Sequence, residues 1–289
     1  MQKVLTLNNN HLNFTKLKIT ASDVNKLRKS TGAGMMDCKK ALEESNGDFD
    51  IAIEVLRKKG QKVAANRADR DSSEGVVLAK VNTDNTSGII ISLNCETDFV
   101  AKNDDYVQLA QKMADHALNF SDKESFLDSD FDGMKVSEKL LEQTGVIGEK
   151  IEIGSFEYIS ANFVGSYIHA GNKIASIVGL SENFDNAQDV GKDLSMQIAA
   201  MNPVAIDETG VSQDIIEKEI EIAKDQLRQE GKPEEMLENI AKGKLKKFFK
   251  ENTLVNQQFI KDSKLSISQY LKSHSDSAKV TGFSRVGLV

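Results

Sequence analysis

Val76-Val77-Leu78-Ala79-Lys80-Val81, then Asn82-Thr83-Asp84-Asn85-Thr86-Ser87-Gly88, then Ile89-Ile90-Ile91-Ser92-Leu93-Asn94-Cys95 form two β-branched, apolar runs around a polar turn. Val and Ile fit a pleated, half-buried surface, while Asn, Asp and Gly accept turn angles, so this is a hairpin signal. The period then changes. Tyr106, Leu109, Ala110, Met113 and Ala117 recur in helical phase. About 70 residues further on the order returns. Gly165-Ser166-Tyr167-Ile168-His169 reads as strand, Ala170-Gly171-Asn172 as turn and Lys173–Leu180 as strand. A helix over about Asn186–Met201 follows, stopped by Asn202-Pro203. Strand–turn–strand–helix occurring twice predicts an α+β core of two similar subdomains. Lys150–Phe163 reads as a further strand, and residues 120–148 as an irregular, acidic connection.

Upstream, three short helices are expected between Thr20 and Gly60. Ser22 or Asp23 can cap the first, with Val24 and Leu27 inward, and Thr31-Gly32-Ala33-Gly34 stops it. Asp37 can cap the second, with Cys38, Ala41 and Leu42 on one stripe. Asp50 precedes the third, with Ala52, Val55 and Leu56 inward and Lys58-Lys59-Gly60 as its end. Downstream, Ile216, Ile220, Ala223 and Leu227 keep a helical stripe that Gly231-Lys232-Pro233 breaks. Leu237, Ala241, Leu245 and Phe248 resume it, which predicts an antiparallel hairpin over about 212–250. Stripes this narrow can close on each other alone, so the hairpin is expected to protrude, with Val255–Val289 returning to the core.

The expected organisation is a disordered extension over 1–18, a three-helix domain over 19–60 and a linker over 61–75. A first core subdomain over 76–148 and a second over 149–289 complete it, the second carrying the hairpin.

The chain has 289 residues and a formal net charge of −7, unevenly spread. Residues 1–70 hold 14 Lys/Arg and 8 Asp/Glu, net +6, leaving −13 for the remainder. An acidic majority speaks against a nucleic-acid binder, which needs a concentrated basic surface. Lys242, Lys244, Lys246, Lys247 and Lys250 read as a solvated helix face. Two distant cysteines, Cys38 and Cys95, make neither a disulfide framework nor a metal cluster, which suits a reducing, cytoplasmic compartment. No apolar run approaches the ~18–20 residues of a membrane span, and residues 1–18 lack the apolar stretch of a signal peptide.

Enzyme chemistry finds no foothold. His11, His116, His169 and His274 are scattered, and neither HExxH, CxxC nor GxSxG occurs. Gly145-Val146-Ile147-Gly148-Glu149-Lys150 is too short between its glycines for a phosphate loop and lacks the Ser/Thr after Lys. Cys38 sits on an amphipathic face and reads as buried, not nucleophilic.

Two stretches are over-specified for folding alone. They are Leu27-Arg28-Lys29-Ser30-Thr31-Gly32-Ala33-Gly34-Met35-Met36-Asp37-Cys38-Lys39-Lys40-Ala41-Leu42 and Asn94-Cys95-Glu96-Thr97-Asp98-Phe99-Val100-Ala101-Lys102. Together they closely resemble the two signature segments of the bacterial elongation factor Ts family. The likeness continues through Gly165–Gly179, Ile240–Phe249 and Val280-Thr281-Gly282-Phe283, and so spans residues 19–285. Ser92 departs from it, standing where the family usually has Glu.

The resemblance implies a guanine nucleotide exchange factor for the translational GTPase elongation factor Tu, with no catalytic chemistry, cofactor or metal of its own. It implies a ubiquitin-associated-like (UBA-like) fold for residues 19–60. It further implies that Thr97, Asp98, Phe99 and Val100 intrude beside the GTPase helices that support its magnesium site. Arg28, Met35 and Met36 match residues that touch another helix of the same GTPase domain, and His169 matches a further contact. Direct nucleotide, nucleic-acid or membrane binding is not expected.

Each of these residues also has a plainer reading. On spacing alone Phe99 is a helix-start aromatic packed beneath its own sheet, roughly in phase with Tyr106, while Thr97 and Asp98 are capping types. The corresponding junction of the second repeat, Ser181-Glu182-Asn183-Phe184, lacks Thr-Asp-Phe-Val, which favours a role beyond folding for the first. Of adjacent Met35 and Met36, one is expected in the core and one exposed. Arg28 alone reads as a solvated helix residue and His169 as a satisfied structural histidine.

Overall fold

The computed structural model describes residues 19–288; the extension expected over 1–18 lies outside the described residues. The chain opens with helices α1 (Ala21–Thr31), α2 (Met35–Glu44) and α3 (Phe49–Asn66). A hairpin of β1 (Glu74–Val81) and β2 (Ser87–Cys95) follows, then the single turn α4 (Asp98–Ala101) and α5 (Asp104–Ala117). Next come α6 (Lys123–Asp128), the small ribbon β3 (Asp130–Phe131) and β4 (Met134–Lys135), and α7 (Val136–Ile147). β5 (Glu152–Ser160), β6 (Phe163–Ile168), β7 (Ile174–Leu180) and α8 (Ala187–Met201) lead to α9 (Gln213–Gln229) and α10 (Glu234–Asn252). β8 (Gln258–Phe259), β9 (Asp262–Ser266), α11 (Ile267–His274) and β10 (Val280–Gly287) close the chain. The fold is α+β. The described residues divide into two compact units, one of residues 19–69 with Leu140–Glu149, the other of Arg70–Lys139 with residues 150–288.

In the first unit Val24, Leu27, Cys38, Ala41, Leu42 and Ala52 form the buried core, with Val55, Leu56 and Val146 packed against it. The stripes are those the sequence expects; the caps are not. Thr20 caps α1 in a reciprocal box with Asp23, each side chain accepting the other's backbone N–H. Gly34 stands before α2, so Asp37 falls inside its first turn and pairs with Lys59 at 2.5 Å. Asp48, not Asp50, caps α3 by accepting the Ile51 N–H.

Helix α3 also runs on through Gly60 to Asn66, so the expected linker over 61–75 is helical in its first part. The reason is a close helix contact. A Cβ on Gly145 would lie 2.5 Å from the Gly60 Cα, so Gly60 is a packing residue and not a helix stop. This contact accounts for Gly145, while Gly148 ends α7 with φ +82°. The irregular connection expected over 120–148 is instead α6, the β3–β4 ribbon and α7.

The second unit holds two three-stranded antiparallel sheets, ordered β1-β2-β5 and β10-β7-β6. In each, a hairpin is followed by a helix, and a later strand returns to pair with the hairpin's second strand. The expected boundary at 148/149 grouped β5 with the second half, but its ladder to β2 makes it the third strand of the first sheet. Val77, Ala79 and Ile90 of the first sheet meet Val164, Ala175, Ile177 and Val286 of the second in one core. Strand alternation turns the buried Ile89, Ile91 and Leu93 to the opposite face, where α5 packs on β1 and β2. Ser92 is fully buried at an irregularity of the β2–β5 ladder, and its hydroxyl accepts the Ser155 N–H at 2.8 Å. A Glu there would need to place its charge elsewhere. A second core joins Phe163, Val178 and Leu180 to Val190, Leu194 and Ile198 of α8 and to Leu254, Ile267 and Leu271.

Helices α9 and α10 pack on one another, burying Ala223, Leu227, Leu237 and Ala241. Their base is tied by Val204 N–H to Asn252 O, Leu254 N–H to Ala205 O and Val255 N–H to Ile206 O. Lys242, Lys244 and Lys247 pair with Glu238, Glu230 and Glu251, the behaviour of a solvated face.

Candidate functional site

Strand β2 ends at Cys95 and the chain turns out of the sheet. The Cys95 thiol donates to Thr97 O at 3.2 Å, and the Glu96 carboxylate accepts the Lys150 N–H at 2.7 Å, so the exit is held on both sides. Thr97 has extended angles and caps the one-turn helix α4, its hydroxyl accepting the Val100 N–H. Asn103 immediately caps α5, accepting from Asp105 and Tyr106. Two caps six positions apart in sequence leave a single helical turn no room to bury its outer face.

That face carries Phe99, which is 83% exposed, the most of any large apolar side chain among the described residues. Its supposed phase partner Tyr106 is buried, with its hydroxyl donating to Leu93 O at 2.9 Å. The packed-under-the-sheet alternative for Phe99 is therefore excluded. The matching junction in the second repeat behaves oppositely. Phe184 packs against the second core, and Glu182 accepts from Ser275 and Ser277.

Asp98, on the same turn, binds Lys102 at 2.6 Å, one helical turn on. The Lys102 hydrogen bond holds the Asp98 carboxyl below its ordinary range, and the same bond raises Lys102, with Glu74 adding to the effect. Lys102 is a functional candidate that sequence inspection passes over, although an i,i+4 Asp–Lys pair signals it. Val100 is half-buried and Ala101 buried, which anchors the turn.

Arg28, Met35 and Met36 line one open groove of about 510 Å³ with Ile19, Val24 and Lys39. Met35 and Met36 are 59% and 62% exposed, so neither is core, contrary to the expectation that one would be. They are the first two residues of α2, just past the Gly32–Gly34 turn and beyond the reach of the core that buries Cys38 and Leu42. Cys38 is fully buried, and desolvation pushes its thiol up from the ordinary value, so it is no nucleophile.

His169 follows β6 at the tip of its hairpin. It is exposed, with Nδ1 3.1 Å from the Tyr167 hydroxyl, and its backbone pairs with Ile174 and Asn172 around a turn in which Gly171 and Asn172 have positive φ. The turn sits against β1, where Val77 N–H donates to Asn172 O at 2.8 Å and Lys173 donates to Glu74. Glu74 in turn faces Cys95 across the β1–β2 ladder. Tertiary structure thus brings the His169 turn to the end of the sheet from which Thr97–Val100 emerges.

Among the described residues no three His, Cys, Asp or Glu are grouped to hold a metal ion, and no helix is long and apolar enough to cross a membrane. The second unit thus offers a projecting aromatic ring and a carboxylate held by a lysine, and the first, taken by itself, a groove lined by two exposed methionines.

Comparison with known proteins agrees in extent. The family described as Elongation factor TS matches residues 96–288. Proteins named elongation factor Ts are similar over nearly the whole chain. The one from Christiangramia forsetii is 66% identical over 271 residues, 94% of this chain and 99% of its own. That from Flavobacterium psychrophilum is 63% identical over 270 residues, 93% and 98% of the two chains. That from Amoebophilus asiaticus is 52% identical over 273 residues, 93% and 99%.

Proposed function

This chain belongs to the elongation factor Ts family, and from that premise we propose that it is the guanine nucleotide exchange factor for elongation factor Tu in the cytoplasm. It acts on the partner's site and carries out no bond chemistry itself. The first three helices form its UBA-like docking domain and α9–α10 a protruding arm. The observation that carries the reading is Phe99, 83% exposed on a turn capped at both ends.

Exchange follows from linkage. A factor that binds the nucleotide-free GTPase more tightly than the GDP form lowers GDP affinity by the same ratio. The Thr97–Val100 turn supplies a wedge already in shape, so little conformational entropy is lost on insertion. Phe99 enters an apolar gap beside the helices supporting the magnesium site, and burying such a ring contributes about 1.5–3 kcal/mol. Asp98 disturbs the hydrogen bonding of those helices. Magnesium tolerates little departure from octahedral oxygen coordination, so a small displacement of its supports loosens metal and diphosphate together. Arg28, Met35, Met36 and His169 add contacts that orient the wedge, thioethers being adaptable at such surfaces.

Stopped-flow release of a fluorescent GDP from elongation factor Tu, with and without this chain, tests the proposal. Acceleration that rises with factor concentration and saturates supports it; a release rate indifferent to the chain would sink it.

A further inference from the structure

The ion pair between Glu74 and Lys173 joins the start of β1 to the far side of the His169 turn, 99 positions apart in sequence. Glu74 opens β1 and lies opposite Cys95, two residues before Thr97. Its place is narrowly fixed. The next residue, Gly75, has φ +146°, and a Cβ there would sit 2.2 Å from Leu93 O, so the β1 and β2 backbones meet closely at this end. Lys173 lies four residues after His169, on the far side of the Gly171–Asn172 turn. Among the described residues, the backbone bond between that turn and β1 is Val77 N–H to Asn172 O. Lys102, the partner of Asp98, also feels the Glu74 carboxylate. Glu74 is therefore bound to the lysine of the His169 turn, at the sheet end where β2 gives way to the Asp98–Phe99 turn.

We infer that Glu74 is a positioning residue for exchange, tying the His169 turn through Lys173 to the sheet end that presents Thr97–Val100. It need not touch the GTPase. Two contact elements held in fixed relation dock together, whereas a loosened His169 turn must be ordered on binding, which weakens association. A half-exposed pair of this kind adds little to global stability, so its effect falls on partner affinity. The inference rests on the exchange function proposed above.

The test is fluorescent-GDP release from elongation factor Tu, measured with the full chain over a range of factor concentrations. Glu74→Gln and Lys173→Gln are each expected to raise the half-saturating concentration about two- to fivefold, with the maximal rate and melting temperature unchanged. The double variant should be no worse than either single one, because both remove the same interaction. The charge exchange Glu74→Lys with Lys173→Glu should restore much of the loss, which a merely space-filling role would not do. Glu74→Gln combined with His169→Ala should give less than the product of the separate effects. An inactive wild-type chain would overturn the exchange function and this inference with it. An active wild type whose Glu74→Gln variant saturates normally, or whose combination with His169→Ala is multiplicative, overturns the positioning role alone.

Discussion

A Phe99→Ala chain is expected to fold normally and to lose most of its effect on GDP release. With 83% of its surface already in water, the ring contributes little to the fold, and such surface substitutions change stability by no more than about 0.5 kcal/mol. Its value lies in the complex. Full burial of a Phe side chain contributes about 1.5–3 kcal/mol. Scaling by the 83% still to be covered leaves about 1.2–2.5 kcal/mol. At 1.36 kcal/mol per factor of ten, that is roughly eight- to seventyfold in the relative affinity for nucleotide-free and GDP-bound partner. Linkage requires the same factor to vanish from the weakening of GDP. Stopped-flow GDP release gives the kinetic loss and calorimetric titration of the nucleotide-free GTPase gives the affinity loss. Phe184→Ala is the control, since Phe184 packs into the second core and its truncation should lower stability by about 2 kcal/mol or more. Full stimulation by Phe99→Ala, or a melting loss as large as that of Phe184→Ala, refutes the wedge.

Gly145→Ala should destabilise the first unit by about 1–3 kcal/mol, because its Cβ would lie 2.5 Å from the Gly60 Cα; this outweighs the ~1 kcal/mol helix gain of Ala over Gly. A raised midpoint in denaturant unfolding would count against the close helix contact. For Asp98, depressed by its Lys102 hydrogen bond, the pair is complete above the unfolded carboxyl value of 3.8 and is lost as pH falls through the lower folded value. Lys102, raised by the same bond, keeps its contribution below 10.5 and loses it only as pH rises through its higher folded value. The pair should thus be intact across about pH 5–9. Lys102→Met should move the NMR titration midpoint of the Asp98 carboxyl back up toward 3.8; an unmoved midpoint contradicts the assignment. Removing residues 214–250 and bridging the gap should leave both sheets folded by circular dichroism, since residues 204–206 and 252–255 are tied at the hairpin base, and should slow exchange. Loss of the cooperative melt would show the hairpin to be core.

Much of the fold was legible because its signals are local. The β1–β2 hairpin, the β6–β7 hairpin, α8 and the α9–α10 pair all follow from periodicity and turn residues that lie next to one another in the chain. The misreadings arose where a distant partner decides. Gly60 looks like a helix stop and is a packing residue, because Gly145 comes from another helix. The strand expected over Lys150–Phe163 is present as Glu152–Ser160, with Phe163 already in β6, but its partner β2 cannot be inferred from its own residues. For Met35 and Met36, adjacency on a helix predicts one inward and one outward, yet both are exposed and line one groove, because the core does not extend as far as the first turn of α2.

The sequence by itself determined the α+β class, the repeated hairpin-and-helix order, the family resemblance and the Thr97–Val100 segment. These rest on residue types and spacings within a dozen or so positions, where local sterics and hydrogen bonding operate. Only the tertiary structure decided that Phe99 points into solvent while Phe184 does not, that Arg28, Met35 and Met36 share one groove, and that Glu74 and Lys173 bring the His169 turn to the exit of β2. Exposure and proximity are properties of what lies opposite a side chain. For residues separated by tens of positions, that is set by how the sheets and helices close on their shared cores.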